Sequence, residues 1–167
     1  MPSPAMTPLA AAKRIALCAA ILYGAWLGMM TVHEGGHVLH AWTTGAQVSR
    51  VTIPLCGFSQ THLSHNPRLL LVAWGGPLWG CLIPAAILGG SRLARLPDRR
   101  LPLFFTGFCL IANGAYLALG LPIRAGDAGD LIRLGAPPWM LIAFGTLTIP
   151  IGLLCWHRLG PRMGLGA

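Results

Sequence analysis

The stretch that decides the fold is TVHEGGHVLHAW, residues 31–42. It follows a run of eighteen uncharged residues, 15–32, which reads as a lipid-facing or buried helix. One carboxylate and three imidazoles then arrive together, on Glu34, His33, His37 and His40. Ionisable groups at membrane depth are costly, so where they occur they mark chemistry or pairing inside a bundle.

Reading outward, the rest of the chain fits a membrane setting. Its 167 residues are 54% hydrophobic and only 10% charged, with mean hydropathy +0.65, which is not the balance of a soluble globular protein. The length implies one membrane-embedded domain, residues 1–167. Four apolar stretches stand out: one from residue 15 into the HEGGH segment, then 69–91, 101–123 and 139–156. A helix needs about 20 residues to cross the hydrocarbon core, so each is long enough, the last only just. The expected fold is therefore an all-α integral membrane protein with about four transmembrane helices.

The first span is expected to run to about Thr43, roughly 43 Å at about 1.5 Å per residue, with Thr44 and Gly45 ending it. Lys13 and Arg14 ahead of an apolar run look like the start of a signal peptide. The run continues into the HEGGH helix with no convincing cleavage site, so we expect a retained first helix. Residues 1–12, with prolines at 2, 4 and 8, are expected to form a loose tail. After the first span, QVSRVTIPLCGFSQT (residues 47–61) mixes β-favouring side chains with Pro54 and Gly57, which interrupt a regular strand. A short re-entrant loop or β-hairpin is expected there. GGPLWG, residues 75–80, suggests a close helix crossing or a broken helix in the second span.

The net charge of +8 invites a nucleic-acid reading, which the placement of the basic residues excludes. They sit between apolar spans, as headgroup and topology signals do. Eight (Lys13, Arg14, Arg92, Arg95, Arg99, Arg100, Arg158, Arg162) fall on one side of a four-span arrangement and four (Arg50, Arg68, Arg124, Arg133) on the other. That bias places both termini in the cytoplasm and fits a multi-pass protein of a bacterial inner membrane. The five cysteines, with no CxxC spacing, read as small buried hydrophobes rather than as a disulfide or metal set.

In a helix, His33 and His37 lie four residues apart and share a face. Two imidazoles so placed can grip one metal ion, while Glu34 can stand beside a water without ligating. This is the HExxH arrangement of two zinc ligands and a general base. A catalytic zinc typically takes a third protein ligand and keeps one open position. The acidic inventory is short: Glu34, Asp98, Asp127 and Asp130. Asp98 lies among arginines and reads as a solvated charge. Asp127 and Asp130 follow the third span, and either is a candidate ligand. His40 reads as an interfacial polar residue, and His62 and His65 as solvated loop histidines.

HEGGH in a membrane helix, GGP in the next span and LPIRAGD after a third together resemble the site-2 protease family of intramembrane zinc metalloproteases. The resemblance spans about residues 30–130. In that family the third ligand lies in a pattern similar to N-x-x-P-x-x-x-x-D-G. Pro122 is followed five residues later by Asp127, so the resemblance selects Asp127 over Asp130. It also implies zinc binding by His33 and His37 and a base role for Glu34. The family's asparagine would fall at Leu119, Asn113 is out of register, and Ala128 stands where the family has glycine. The family usually carries its zinc nearer the cytoplasm, whereas the charge bias places the HEGGH end on the opposite side.

Two functions follow as expectations. One is a zinc-dependent endopeptidase that cleaves a membrane protein or peptide substrate within the lipid bilayer. The other is a non-proteolytic pseudoprotease that retains the metal site; the missing asparagine favours it and the intact Glu34 opposes it.

Overall fold

The computed structural model describes residues 7–157 and Leu159. It contains four helices long and apolar enough to cross a membrane, which makes the chain a multi-pass integral membrane protein. These are α1 (Pro8–Thr44), α2 (Leu69–Leu93), α3 (Arg100–Ile123) and α5 (Pro138–His157). Two smaller units join them: a hairpin of β1 (Gln47–Thr52) and β2 (Gln60–His65) after α1, and the short helix α4 (Gly126–Arg133) after α3.

Helix α1 is 37 residues long, about 55 Å at about 1.5 Å per residue, well beyond the hydrocarbon core. It begins earlier than the sequence suggested. Residues 8–12 of the expected tail are helical, because Thr7 caps the helix by accepting from the Ala10 N–H at 3.4 Å and Pro8 sits where a missing N–H costs nothing. Residues 1–6 of that tail lie outside the described residues. The helix ends at Thr44, where Gly45 takes a left-handed conformation (φ 77°) and donates to the Ala41 carbonyl.

The spans pack α1 on α2, α2 on α3, and α3 on α5, with α4 tucked against α3 and α2. Small residues set the close approaches. Gly36 of α1 and Gly75 of α2 meet backbone to backbone, so that a Cβ on Gly36 would strike the Gly75 carbonyl. In lipid, association cannot rest on the hydrophobic effect, and such contacts supply the packing instead. The GGPLWG segment is thus a close crossing, and α2 runs unbroken through Pro77 and Pro84. The largest apolar cluster joins Leu117 of α3, Ala128 and Leu131 of α4, Ala136 of the connection between α4 and α5, and Leu141 of α5. It fixes α4, which the sequence pattern had not revealed, against the bundle.

The hairpin is antiparallel, with Val51 opposite Thr61 and Thr52 opposite Gln60, and Pro54 and Gly57 fall in its connecting loop. Val48 and Leu63 seat it on Ala41, Ala46 and Val72. The Tyr23 hydroxyl donates to the Leu55 carbonyl at 2.9 Å and holds the loop to α1. Asp98 lies in the exposed connection between α2 and α3. Hydrogen bonds from Arg100 hold its carboxyl at about 2, the state expected of a solvated, paired charge.

Candidate metal centre

The helical spacing puts His33 and His37 side by side on α1, ring centroids 5.0 Å apart and nearly perpendicular. Both are buried, as is Glu34 between them. The third component comes from the far end of α3. There Arg124 and Gly126 adopt left-handed conformations (φ 49° and 51°) and turn the chain into α4. Gly126 lies against the Tyr116 hydroxyl, which a Cβ would strike. Asp127 therefore opens α4, where the helix N-terminus favours a negative charge.

Asp127 Oδ2 sits 2.8 Å from His33 Nε2 and 3.4 Å from His37 Nε2. One ligand atom from each of the three residues lies within 4.8 Å of the others. Burial alone would raise the Asp127 carboxyl. The hydrogen bonds and charge of the two histidines outweigh it and hold the group well below the usual carboxylate range. Asp130 does not join the cluster. It forms an ion pair with Arg133 one turn further along α4.

The opposite edges of both imidazoles are committed. His33 Nδ1 is 2.6 Å from Asn113 Oδ1, and the Asn113 Nδ2 donates to the Cys109 carbonyl at 2.9 Å. A carbonyl can only accept, so the amide orientation is fixed and His33 Nδ1 must carry a proton. His37 Nδ1 is 2.7 Å from the Val72 carbonyl and must do the same. The Gly76 N–H also stands 3.3 Å from that nitrogen, but a protonated nitrogen has no lone pair for it, so the shorter contact decides. Each Nε2 of a neutral ring therefore turns a lone pair toward an ionised carboxylate. That donor set repels itself unless a cation, proton or metal, lies among the three atoms. Two imidazole nitrogens and one carboxylate oxygen suit zinc.

Gly76 of α2 makes room for the rings. A Cβ there would approach His33 Nε2 to 2.5 Å and collide with the His37 imidazole. The GGP segment thus serves the site as well as the helix crossing.

The cluster opens into a cavity of about 1000 Å³. One wall is β2, including Gln60, Thr61 and His62; another is α3, including Phe108, Ala112 and Tyr116. Thr61 donates its hydroxyl to Glu34 Oε2 at 2.6 Å. Phe58 of the hairpin loop stacks on Tyr116, centroids 6.3 Å apart. His62 lines the cavity rather than standing in a solvated loop, whereas His65 is exposed. His40 lies off the site, with its Nδ1 donating to the Leu71 carbonyl at 2.6 Å.

Sequence reasoning set Asn113 aside as out of register, and the structure places it on His33. Thr61 is likewise a site residue without a local signal, whereas Gly76 lies in the GGP segment that the sequence marks, there read as a helix crossing. A buried His/His/Asp cluster able to hold a metal inside a four-span helical bundle agrees, in general outline, with an intramembrane zinc-metalloprotease-like fold. Comparison with protein-family models, with curated proteins and with solved structures finds no match to the chain.

Proposed function

We propose that the chain is an intramembrane zinc-dependent endopeptidase of the site-2 protease type, hydrolysing peptide bonds of membrane-associated protein or peptide substrates. The observation that carries this reading is Asp127 Oδ2 facing two imidazoles whose Nδ1 protons are already committed. His33, His37 and Asp127 would hold the zinc. Bound there, zinc supplies Lewis acidity toward a peptide carbonyl and toward water.

The chain's own groups account for the rest of the chemistry. Glu34 is buried beside the ligands and is not needed to complete the triad, which leaves it as the general base. Its carboxylate takes a proton from the attacking water and returns it to the departing amine. Thr61 holds one carboxylate oxygen, leaving the other to accept that proton. The cavity wall formed by β2 suits an extended peptide, because β2 pairs only with β1 among the described residues and can accept a further strand. A transmembrane substrate would have to unwind locally to enter.

Leu119 favours the second reading, a metal-holding pseudoprotease. It is 72% exposed and offers no hydrogen-bonding group where the family's asparagine would fall. Glu34→Gln separates the two. In an endopeptidase the variant keeps zinc and loses hydrolysis of a membrane-anchored reporter peptide. A wild type that holds zinc but leaves reporter and lipid-embedded peptide libraries intact, as the variant does, supports the pseudoprotease.

A further inference from the structure

We infer that Asn113 is a positioning residue of the metal centre: it locks His33 in the Nδ1–H form and aims Nε2 at Asp127. The inference deepens the metal-site reading and rests on it only where zinc is measured.

His37 is held by a backbone carbonyl, which any sequence would provide at that point of α2. His33 is held by a side chain from a different span, eighty residues away in sequence. Its geometry therefore depends on one residue's chemistry. Asn113 is almost wholly buried, 1% exposed, in the apolar middle of α3, where a polar side chain is costly unless satisfied. Both ends of its amide are used. Nδ2 binds the Cys109 carbonyl one turn back, and Oδ1 takes the His33 proton.

The neighbouring helix is shaped to this amide. Gly80 of α2 packs against it so closely that a Cβ would lie 2.7 Å from both Nδ2 and Oδ1. A side chain at position 80 would take the space that the amide occupies. Free imidazole has no such constraint, and outer contacts of this kind fix which nitrogen faces a metal. Asn113 thus does for His33 what the Val72 carbonyl does for His37. The chain lacks the family's asparagine at position 119, and this asparagine acts from the other side of the ligand, on the histidine rather than on substrate.

The test uses the full chain in detergent micelles, labelled with 15N at histidine. The first measurement is made zinc-free at alkaline pH in chains that all carry Asp127→Ala, so that no carboxylate competes with Asn113 for the ring proton, and two-bond nitrogen–proton spectra distinguish the ring tautomers. On that background His33 should appear as Nδ1–H with Asn113 in place and with Asn113→Asp, which keeps an acceptor. It should shift toward Nε2–H in Asn113→Leu, which keeps the volume and removes the acceptor. The second measurement is zinc affinity by competition with a chromophoric chelator. Asn113→Leu should bind about 10- to 100-fold more weakly than wild type, and Asn113→Asp should recover most of that loss. Gly80→Ala, which crowds the amide from α2, should weaken binding in the same direction with Asn113 unchanged.

A His33 found as Nε2–H on the Asp127→Ala background with Asn113 in place overturns the inference whatever the zinc result. So does an unchanged tautomer in Asn113→Leu, or a loss in Asn113→Asp as deep as in Asn113→Leu, which would make volume the cause. The expected tautomers beside a wild type that binds no zinc would leave the positioning role standing and defeat the zinc reading instead.

Discussion

Thr61, on the strand β2, donates its hydroxyl to Glu34 on α1 at 2.6 Å. That one bond ties the hairpin, the only β-structure among the described residues, to the carboxylate of the HEGGH segment. It gives the hairpin a chemical role besides that of a wall. Thr61→Val should slow hydrolysis by roughly 10-fold, the scale of one hydrogen bond to a charged group. Zinc content should be unchanged, and Thr61→Ser should behave like wild type. Equal rates for Val and Ser in reporter-peptide kinetics would remove Thr61 from the mechanism.

Gly76 limits the space beside the ligands. An added methyl meets His33 Nε2 at 2.5 Å and collides with His37, and both atoms belong to rings held from behind. Gly76→Ala should therefore weaken zinc binding by at least about 10-fold, as loss of ligand geometry does. Helix content should not fall, because alanine is the better helix former. Circular dichroism alongside metal analysis separates the two effects. Full zinc occupancy in this variant would mean that the rings sit elsewhere.

The α1–α2 crossing rests on Gly36 and Gly75. A Cβ on Gly36 meets the Gly75 carbonyl and the Trp79 Cβ, the latter at 2.9 Å, and neither is the free end of a flexible chain. Gly36→Ala should destabilise the bundle by about 1–3 kcal/mol through overpacking. Thermal unfolding in detergent would read this as a lowered midpoint. Gly35, which has open space around it, supplies the control, and Gly35→Ala should leave the midpoint nearly unchanged.

Zinc uptake should release protons. The two histidines hold Asp127 below the ordinary carboxylate range, so a proton in the metal-free triad resides mainly on an imidazole Nε2. Any proton shared between Asp127 and the Nε2 atoms must leave when zinc arrives. Calorimetric titrations in two buffers of different ionisation enthalpy should give different apparent heats. Identical heats would indicate that no proton occupies the triad before the metal does.

The sequence made some of this legible because the information is local. Two histidines four apart fix a shared helix face before any tertiary contact forms. The spacing from Pro122 to Asp127 pointed to the aspartate that the structure brings to them, and the span lengths gave the four helices. Asn113 and Thr61 were hidden for the opposite reason. Each acts on α1 from a separate element, and no periodicity in its own segment marks the residue it touches. The helix α4 was hidden by composition. GDAGDLIR reads as a loop, and its helicity depends on burying Ala128 and Leu131 against Leu117 and Leu141. GGP was recognisable as a close crossing, but its second use, making room for two imidazoles, needed the rings in place.

The most direct measurement is zinc per chain in the purified, metal-replete protein, for wild type beside Asp127→Ala and Asp130→Ala. The expected result is close to one zinc in wild type and Asp130→Ala, with zinc lost in Asp127→Ala. No zinc in wild type, or its retention without Asp127, would contradict a metal centre built from His33, His37 and Asp127.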